Sequence, residues 1–267
     1  MNILESKNSV VLMDLLDRCS RIKAINKELL LELATESARA TNAGSQLPAP
    51  LHALFDQWYQ SLPHQPDYTV YGQDEYIAEL WACWKVYSRA HLLNIQKPQS
   101  LFTHSIVDDN RDAGVVIDLG CGFAYTTAAL AQIFPGASVW GTNLDNTLQM
   151  SVAKTMADDY GFMVCPDVSE IGRNADLVFA SEYFEHFEQP LEHLDYIIDT
   201  LKPGAMLIAN AFGPRAIGHF DHYVVDGNTY TAKQTGKLFN ARMEDHGYVR
   251  RKTKLWNSRP AYWKKST

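Results

Sequence analysis

Two hydrophobic rhythms divide the chain near residue 110. Before it, apolar residues recur at helical spacing: Val11, Leu12, Leu15 and Leu16, then Ile22, Ile25, Leu29 and Leu30. That spacing predicts one long or two shorter amphipathic helices over residues 1–40. TNAGSQLPAP breaks the pattern as a loop, LHALFDQWYQSL reads as a short helix and PHQPDYTVYG as another loop. QDEYIAELWACWKVYSRAHLLNI then reads as a strongly amphipathic helix, with Tyr76, Leu80, Trp81, Trp84 and Tyr87 along one stripe. Burial against the rest of the protein is the plainer use of that stripe, and a wall for a planar or apolar molecule is the other. After residue 110 the rhythm changes to short continuous apolar runs. Val115, Val116 and Ile117 are β-branched and suit a parallel strand buried on both faces. At the far end, YVRRKTKLW, NSRP and AYWKKS read as strand, turn and strand, a terminal hairpin.

The segment VVIDLGCGFAYT, residues 115–126, carries the most specific chemistry. An apolar strand ends in Asp118, Gly120 and Gly122 follow as G-x-G, and a helix-compatible stretch begins. Glycines there allow a tight turn and close approach of a ligand to the main chain. A dinucleotide fingerprint needs a third glycine where Tyr125 stands. It also brings phosphate to a helix N-terminus, where the Asp118 carboxylate would repel it. An acid before the glycines attracts a cation instead, and S-adenosylmethionine presents both an ammonium and a sulfonium.

On these residues the chain resembles the class I S-adenosylmethionine-dependent methyltransferases, the small-molecule enzymes with a Glu-His pair after the fourth strand. Further segments match in order. SVWGTNLDNTLQMSVAK is similar to the second strand and its helix, CPDVSEI to the third-strand loop, ADLVFASEYFEHFEQP to the fourth strand and its acid-rich end, and LKPGAMLIANAF to the fifth strand. The resemblance covers roughly residues 113 to 213. It implies an α/β fold: a Rossmann-like, doubly wound, mostly parallel seven-stranded sheet closed by the C-terminal antiparallel hairpin. Residues 1–110 would be an N-terminal helical extension and substrate cap, and 111–267 the cofactor-binding methyltransferase domain. Added elements can cover a ligand there, because ligands of open α/β sheets bind beyond the carboxyl ends of the strands.

The resemblance also assigns roles. Asp118 would hold the methionine ammonium, with Gly120, Cys121 and Gly122 giving main-chain access. Asn143 stands where the family has an acid on the ribose hydroxyls, with Asp145 two residues on as a substitute; Leu144 offers an apolar face. Asp167 and Val168 would meet adenine, although Asp167 equally suits a cap of the following turn. Ser181 closes the cofactor set. Methyl transfer would take place near SEYFEHF, with His186 the first choice as base and Glu182 beside it. His219 and His222, in AFGPRAIGHFDHYVVDG, are further catalytic candidates on the loop after the fifth strand. H-x-D-H over His219, Asp221 and His222 also invites a metal reading, but loop spacing splays those side chains and no further Cys or His pair completes a tetrahedral set. No metal is expected.

Composition narrows the rest. The four cysteines, Cys19, Cys83, Cys121 and Cys165, have no CxxC spacing, so neither a zinc ribbon nor a disulfide frame is indicated. No apolar run reaches the ~18 residues that read as a membrane helix. The acids in MNILESKNSVVLMDLLDRC oppose a secretory signal, so a cytoplasmic setting is expected. A net charge of −7 disfavours a large polyanionic partner. The tail nonetheless holds Arg250, Arg251, Lys252, Lys254, Arg259, Lys264 and Lys265 among Trp256, Tyr262 and Trp263. A hairpin whose basic residues guard a sheet edge accounts for these better than a nucleic-acid strip does.

The expectation is therefore a transferase using S-adenosyl-L-methionine to methylate oxygen, nitrogen or carbon of a small or medium acceptor, with no membrane partner and a possible homodimer. The alternatives are a methyltransferase for a modified nucleobase, sugar or nucleic-acid-tethered group, and a non-catalytic cofactor-binding regulator.

Overall fold

The computed structural model describes residues 51–77, 80, 92, 95–96, 104–251, 253 and 260–266. The helices expected over 1–40, the loop after them, and Trp81, Trp84, Tyr87, Lys252, Lys254, Trp256 and Arg259 lie outside the described residues.

Helix α1 (His52–Ser61) opens the described chain, followed by a 3-10 turn (Tyr68–Gly72) and the short α2 (Ile106–Asp109). The next elements alternate as a doubly wound fold requires: β1 (Val115–Leu119), α3 (Tyr125–Ile133), β2 (Ser138–Thr142), α4 (Leu148–Tyr160), β3 (Met163–Cys165), β4 (Leu177–Ser181), α5 (Pro190–Leu201) and β5 (Ala205–Ala209). A hairpin of β6 (His222–Val225) and β7 (Asn228–Thr231), helix α6 (Ala232–Asp245), β8 (Tyr248–Arg251) and β9 (Ala261–Lys265) complete it.

The seven-stranded sheet has the order β3-β2-β1-β4-β5-β9-β8. Strands β1 to β5 run parallel, and β9 pairs antiparallel with both β5 and β8. All five residues of β1 are buried, and so are all five of β5. Successive side chains of a strand point to opposite faces. Val116 therefore joins one core with Leu130, Phe179 and Leu207, while Ile117 joins the other with Val178, Leu194 and Met206. Covered on both faces, the strands read as unbroken apolar runs.

The connections after β1 and β4 diverge to opposite ends of the sheet, so a crevice opens beyond the carboxyl ends of this adjacent pair. Ligands of open α/β sheets bind at such a switch point. Asp118 lies there, paired in register with Gly141 on one side and Phe179 on the other.

The segment before the sheet is tied to this end. Trp58 of α1 is fully buried, packs its ring edge on Phe220, and donates from Nε1 to the His219 carbonyl at 2.6 Å. Gln149 of α4 donates from Nε2 to the Tyr71 carbonyl at 2.7 Å. Residues 51–72 therefore lie against the loop that follows β5.

The expected terminal hairpin is present as β8 and β9. Its basic residues are engaged locally: Arg250 lies over the Trp263 ring and Lys265 over Tyr248. The β6/β7 hairpin falls in a stretch that the sequence reading treats as a loop. Asp226 and Gly227 both have positive φ, 47° and 76°, as a two-residue hairpin turn requires. The Asp-Gly pair between Val225 and Asn228 is the local signal for it. No helix among the described residues is long and apolar enough to cross a membrane.

Candidate active site at the carboxyl end of the sheet

Asp118 ends β1 almost completely buried, with 2% of its surface exposed. Thr127, one turn into α3, donates to it from Oγ1 at 2.7 Å and from its main-chain N–H. Burial outweighs those bonds and raises the carboxyl to about 7.

The turn after it is built from left-handed residues. Gly120, Gly122 and Ala124 have φ of 63°, 54° and 63°, and the non-glycine Ala124 carries local strain. The Gly120 N–H donates to Thr142 Oγ1 at 3.1 Å and the Cys121 N–H to the Thr142 carbonyl at 2.8 Å, which ties the turn to the end of β2. Cys121 is buried and its thiol is pushed up by burial. A Cβ on Gly120 would stand 2.5 Å from Cδ2 of Tyr183, so the Tyr183 ring rests on bare main chain. Tyr183 is held in turn by a 2.8 Å hydrogen bond between its hydroxyl and His193 Nε2.

Asn143 donates from Nδ2 to the Gly122 carbonyl at 2.6 Å, and its Oδ1 accepts from the Leu144 N–H at 3.0 Å. It thus fixes the turn between β1 and β2, while Asp145 beside it is exposed and accepts from Asn146. Leu144 is 56% exposed, an apolar side chain standing in solvent at the rim. Asp167 caps the turn Val168–Ile171 by accepting from the Ser169 N–H at 2.8 Å, and it also accepts from the Tyr196 hydroxyl. Val168 behind it is buried.

The second half of the site follows β4. Ser181 is its last residue, and Glu182 takes a left-handed φ of 51° while its N–H donates to the Ala209 carbonyl at 2.8 Å. That turn brings Glu185 and His186 beneath the loop after β5. Glu185 is fully buried; one oxygen accepts from the Ala211 N–H at 2.5 Å, and burial, with Glu182 beside it, holds its carboxyl well above the usual range. His186 Nδ1 lies 3.0 Å from the Tyr71 hydroxyl, and its ring meets the His219 ring edge-on with centroids 5.0 Å apart. Burial holds His186 neutral, at about 3, with His219 adding to the effect. Gly218 makes the approach possible: its φ is +88°, and a Cβ there would stand 2.3 Å from the Tyr71 hydroxyl and 2.4 Å from His186 Nδ1.

His219 is buried, and burial lowers its basicity as well. Its Nδ1 lies 2.9 Å from the Pro214 carbonyl, which can only accept, so Nδ1 carries the proton and Nε2 the lone pair. His222, the last of the catalytic candidates, is not part of this group: it is exposed at the start of β6, opposite Thr231. Asp221 is exposed too and pairs with Arg215 at 3.0 Å, and Arg215 stacks over the Tyr59 ring at 3.7 Å. Strand geometry therefore separates the residues of H-x-D-H, as the spacing implied. SEYFEHF offers Tyr183 and Glu185 as further candidates for the base, and Tyr71 reads as a residue that closes over the cofactor; the hydrogen bond between Tyr71 and His186, the Tyr183 ring over Gly120 and the burial of Glu185 come from the fold.

A family model described as a methyltransferase domain matches residues 117–209, the stretch from β1 through β5. Among curated proteins, the chain is 26% identical over 128 residues to a malonyl-[acyl-carrier protein] O-methyltransferase of Priestia megaterium, covering 47% of this chain and 44% of that one. It is 27% identical over 147 residues to a ubiquinone biosynthesis O-methyltransferase of Ruegeria pomeroyi, covering 50% and 58%. The chain thus spans about half the length of the curated relatives it matches. Among solved structures, mitomycin 7-O-methyltransferase MmcR superposes with a TM-score of 0.50 at 12% identity, over 89% of this chain and 67% of that one, a likeness of fold. The match to a methyltransferase domain coincides with the parallel half of the sheet and with the glycine turn at its switch point.

Proposed function

We propose that the chain catalyses transfer of the methyl group of S-adenosylmethionine to a small or medium acceptor, with an oxygen as the methylated atom. The observation that carries this reading is the buried Asp118 carboxyl set against a glycine turn at the switch point of the sheet. The choice of oxygen draws on the curated relatives, both of which are O-methyltransferases by name.

The residues present suit the cofactor. Asp118 faces a need for positive charge that an ammonium meets, and a charge-assisted hydrogen bond there contributes ~1.5 to 3 kcal/mol. Gly120, Cys121 and Gly122 let the amino-acid portion lie against main chain, with Ser181 across from them. Asn143, its amide already bonded to Gly122, offers one remaining lone pair to a ribose hydroxyl, and Asp145 supplies the charge that Asn143 lacks. Leu144 covers an adenine face, and Asp167 with the Val168 N–H meets its edge. Bound there, the cofactor supplies an electrophilic methyl on a sulfonium.

The acceptor oxygen attacks in line: its new bond to carbon forms as the carbon–sulfur bond breaks, S-adenosylhomocysteine leaves, and the oxygen gives up its proton. His186 and His219 are neutral and able to take that proton, with Glu182 next to them. Much of the rate comes from alignment, since proximity and orientation supply ~7 to 11 kcal/mol in favourable systems. Tyr71, Trp58 and the segment that carries them wall the acceptor side.

Two measurements check the reading. Incubation with S-adenosylmethionine labelled in its methyl group and a panel of hydroxylated metabolites should yield labelled product and stoichiometric S-adenosylhomocysteine; retention of the labelled cofactor intact across the panel, despite tight binding, would favour a regulatory protein. Gly120→Ala should weaken cofactor binding at least about tenfold by calorimetry, since a left-handed alanine costs ~1 to 2 kcal/mol and its Cβ must displace Tyr183. Unchanged affinity would remove the turn from the cofactor site.

A further inference from the structure

Glu182 and Glu185 follow β4, and His219 lies on the loop after β5, yet one donor atom from each lies within 4.8 Å of the other two. The packing of the fold does not account for the arrangement. Glu185 is fully buried, and while one oxygen accepts from the Ala211 N–H, its Oε2 has no hydrogen-bond partner that supplies a proton among the described residues. The group beside it is another carboxylate, that of Glu182. A buried carboxyl stays neutral, is paired or binds a metal, and here the side chain beside it is a second acid, Glu182, with which it shares a hydrogen bond, rather than a cation. His219 completes the set in the right tautomer. With Nδ1 donating to the Pro214 carbonyl, Nε2 is the atom left to bind, which is the usual outer-shell arrangement of a metal-bound histidine. The glycine at 218 and the hydrogen bond from Trp58 Nε1 to the His219 carbonyl hold the loop so that this ring stays in place.

We propose that Glu182, Glu185 and His219 form a divalent-cation site between the turn after β4 and the loop after β5. The donors are two hard carboxylate oxygens and one imidazole nitrogen, a mixture that suits Mn2+ or Zn2+ better than Ca2+. Three protein ligands leave coordination positions open. Resting on the methyl-transfer reading, the site takes an acceptor whose hydroxyl binds the cation: the metal would orient the oxygen and lower the pKa of its proton, which passes to His186 because His219 Nε2 is then on the cation, leaving a more nucleophilic alkoxide or phenolate for the methyl group. Acceptors with two neighbouring oxygens would chelate and be favoured over those with one.

The test begins with chelator-treated full-length protein titrated with MnCl2, reading free Mn2+ by electron paramagnetic resonance. One saturable site is expected, with a rise in Tm on saturation. Glu185→Gln and His219→Ala should each weaken it at least about tenfold, whereas Glu170→Gln, at an exposed acid outside the cluster, should leave it unchanged. Far-ultraviolet circular dichroism of each variant establishes that it is folded. Absence of saturable Mn2+ and Zn2+ binding in the wild-type protein overturns the proposal, and so does a folded Glu185→Gln variant that binds Mn2+ as tightly as wild type. Should Gln at 185 raise Tm while MnCl2 leaves the wild-type Tm unmoved, the two acids share a proton and the site does not exist. Cation binding is read without turnover, so a protein that binds Mn2+ and transfers no methyl group supports the site and counts only against the activity.

Discussion

Asp118→Asn is expected to weaken S-adenosylmethionine binding at least about tenfold while making the ligand-free protein more stable at pH 8. The two effects share one cause. Burial raises the Asp118 carboxyl to about 7, far above a carboxylate in an unfolded chain. The neutral acid's advantage in the folded state is complete below the unfolded value near 4, and it is lost as pH rises through 7. At pH 8 the wild-type protein therefore carries an ionised carboxylate under cover, at a cost of at most about 4 kcal/mol. Asparagine keeps an oxygen for the Thr127 hydroxyl and has no proton to lose. Thermal denaturation at pH 5 and pH 8 should show a gain for the variant that is several-fold larger at the higher pH. Calorimetry on the wild type should show cofactor affinity falling as pH drops below 7, because the ammonium then meets a neutral group. A variant that binds the cofactor normally, or one destabilised at pH 8, removes Asp118 from this role.

Trp58→Ala is expected to lower stability by about 3 to 5 kcal/mol, the usual cost of emptying a buried aromatic site. The indole is wholly buried, packs against Tyr68, Tyr71 and Phe220, and satisfies the His219 carbonyl. Its loss opens a cavity and leaves that carbonyl without its donor, so chemical denaturation should show the shift directly. In the residual folded population the acceptor side should suffer more than the cofactor side. KM for the acceptor is expected to rise, with cofactor Kd within about threefold, since the indole packs against Tyr71 and the His219 carbonyl and has no contact with the glycine turn among its ring and hydrogen-bond partners. Trp58→Phe, which keeps most of the ring volume and drops the donor, separates packing from the hydrogen bond.

Legibility in the sequence followed the physics of each part. VVIDLGCG could be read because β-branched residues, an acid and two glycines within eight positions meet several demands at once: a buried strand, a cationic ligand and a left-handed turn. The order of the later segments then implied the parallel sheet, and the tail implied the antiparallel pair β8 and β9. Local patterns were mute about contacts made across long stretches of chain. Nothing near Tyr71 announces that its hydroxyl reaches His186, 115 residues away. Glu185 reads as one more acid in SEYFEHF until the fold buries it against Ala211. His219 and His222 are three residues apart and look equivalent, yet one is enclosed and the other sits on an exposed strand. The β6/β7 hairpin is hidden for a different reason: its Asp-Gly signal stands inside a stretch that the family resemblance reads as a loop.

The outer strands of the sheet bear on how one molecule meets another. At one side β3 has only three residues. At the other, β8 has four and turns Arg250 and Arg251 to solvent. Short borders fringed with positive charge are poor templates for strand addition. Sheets from separate molecules therefore have little to zip onto at these two edges.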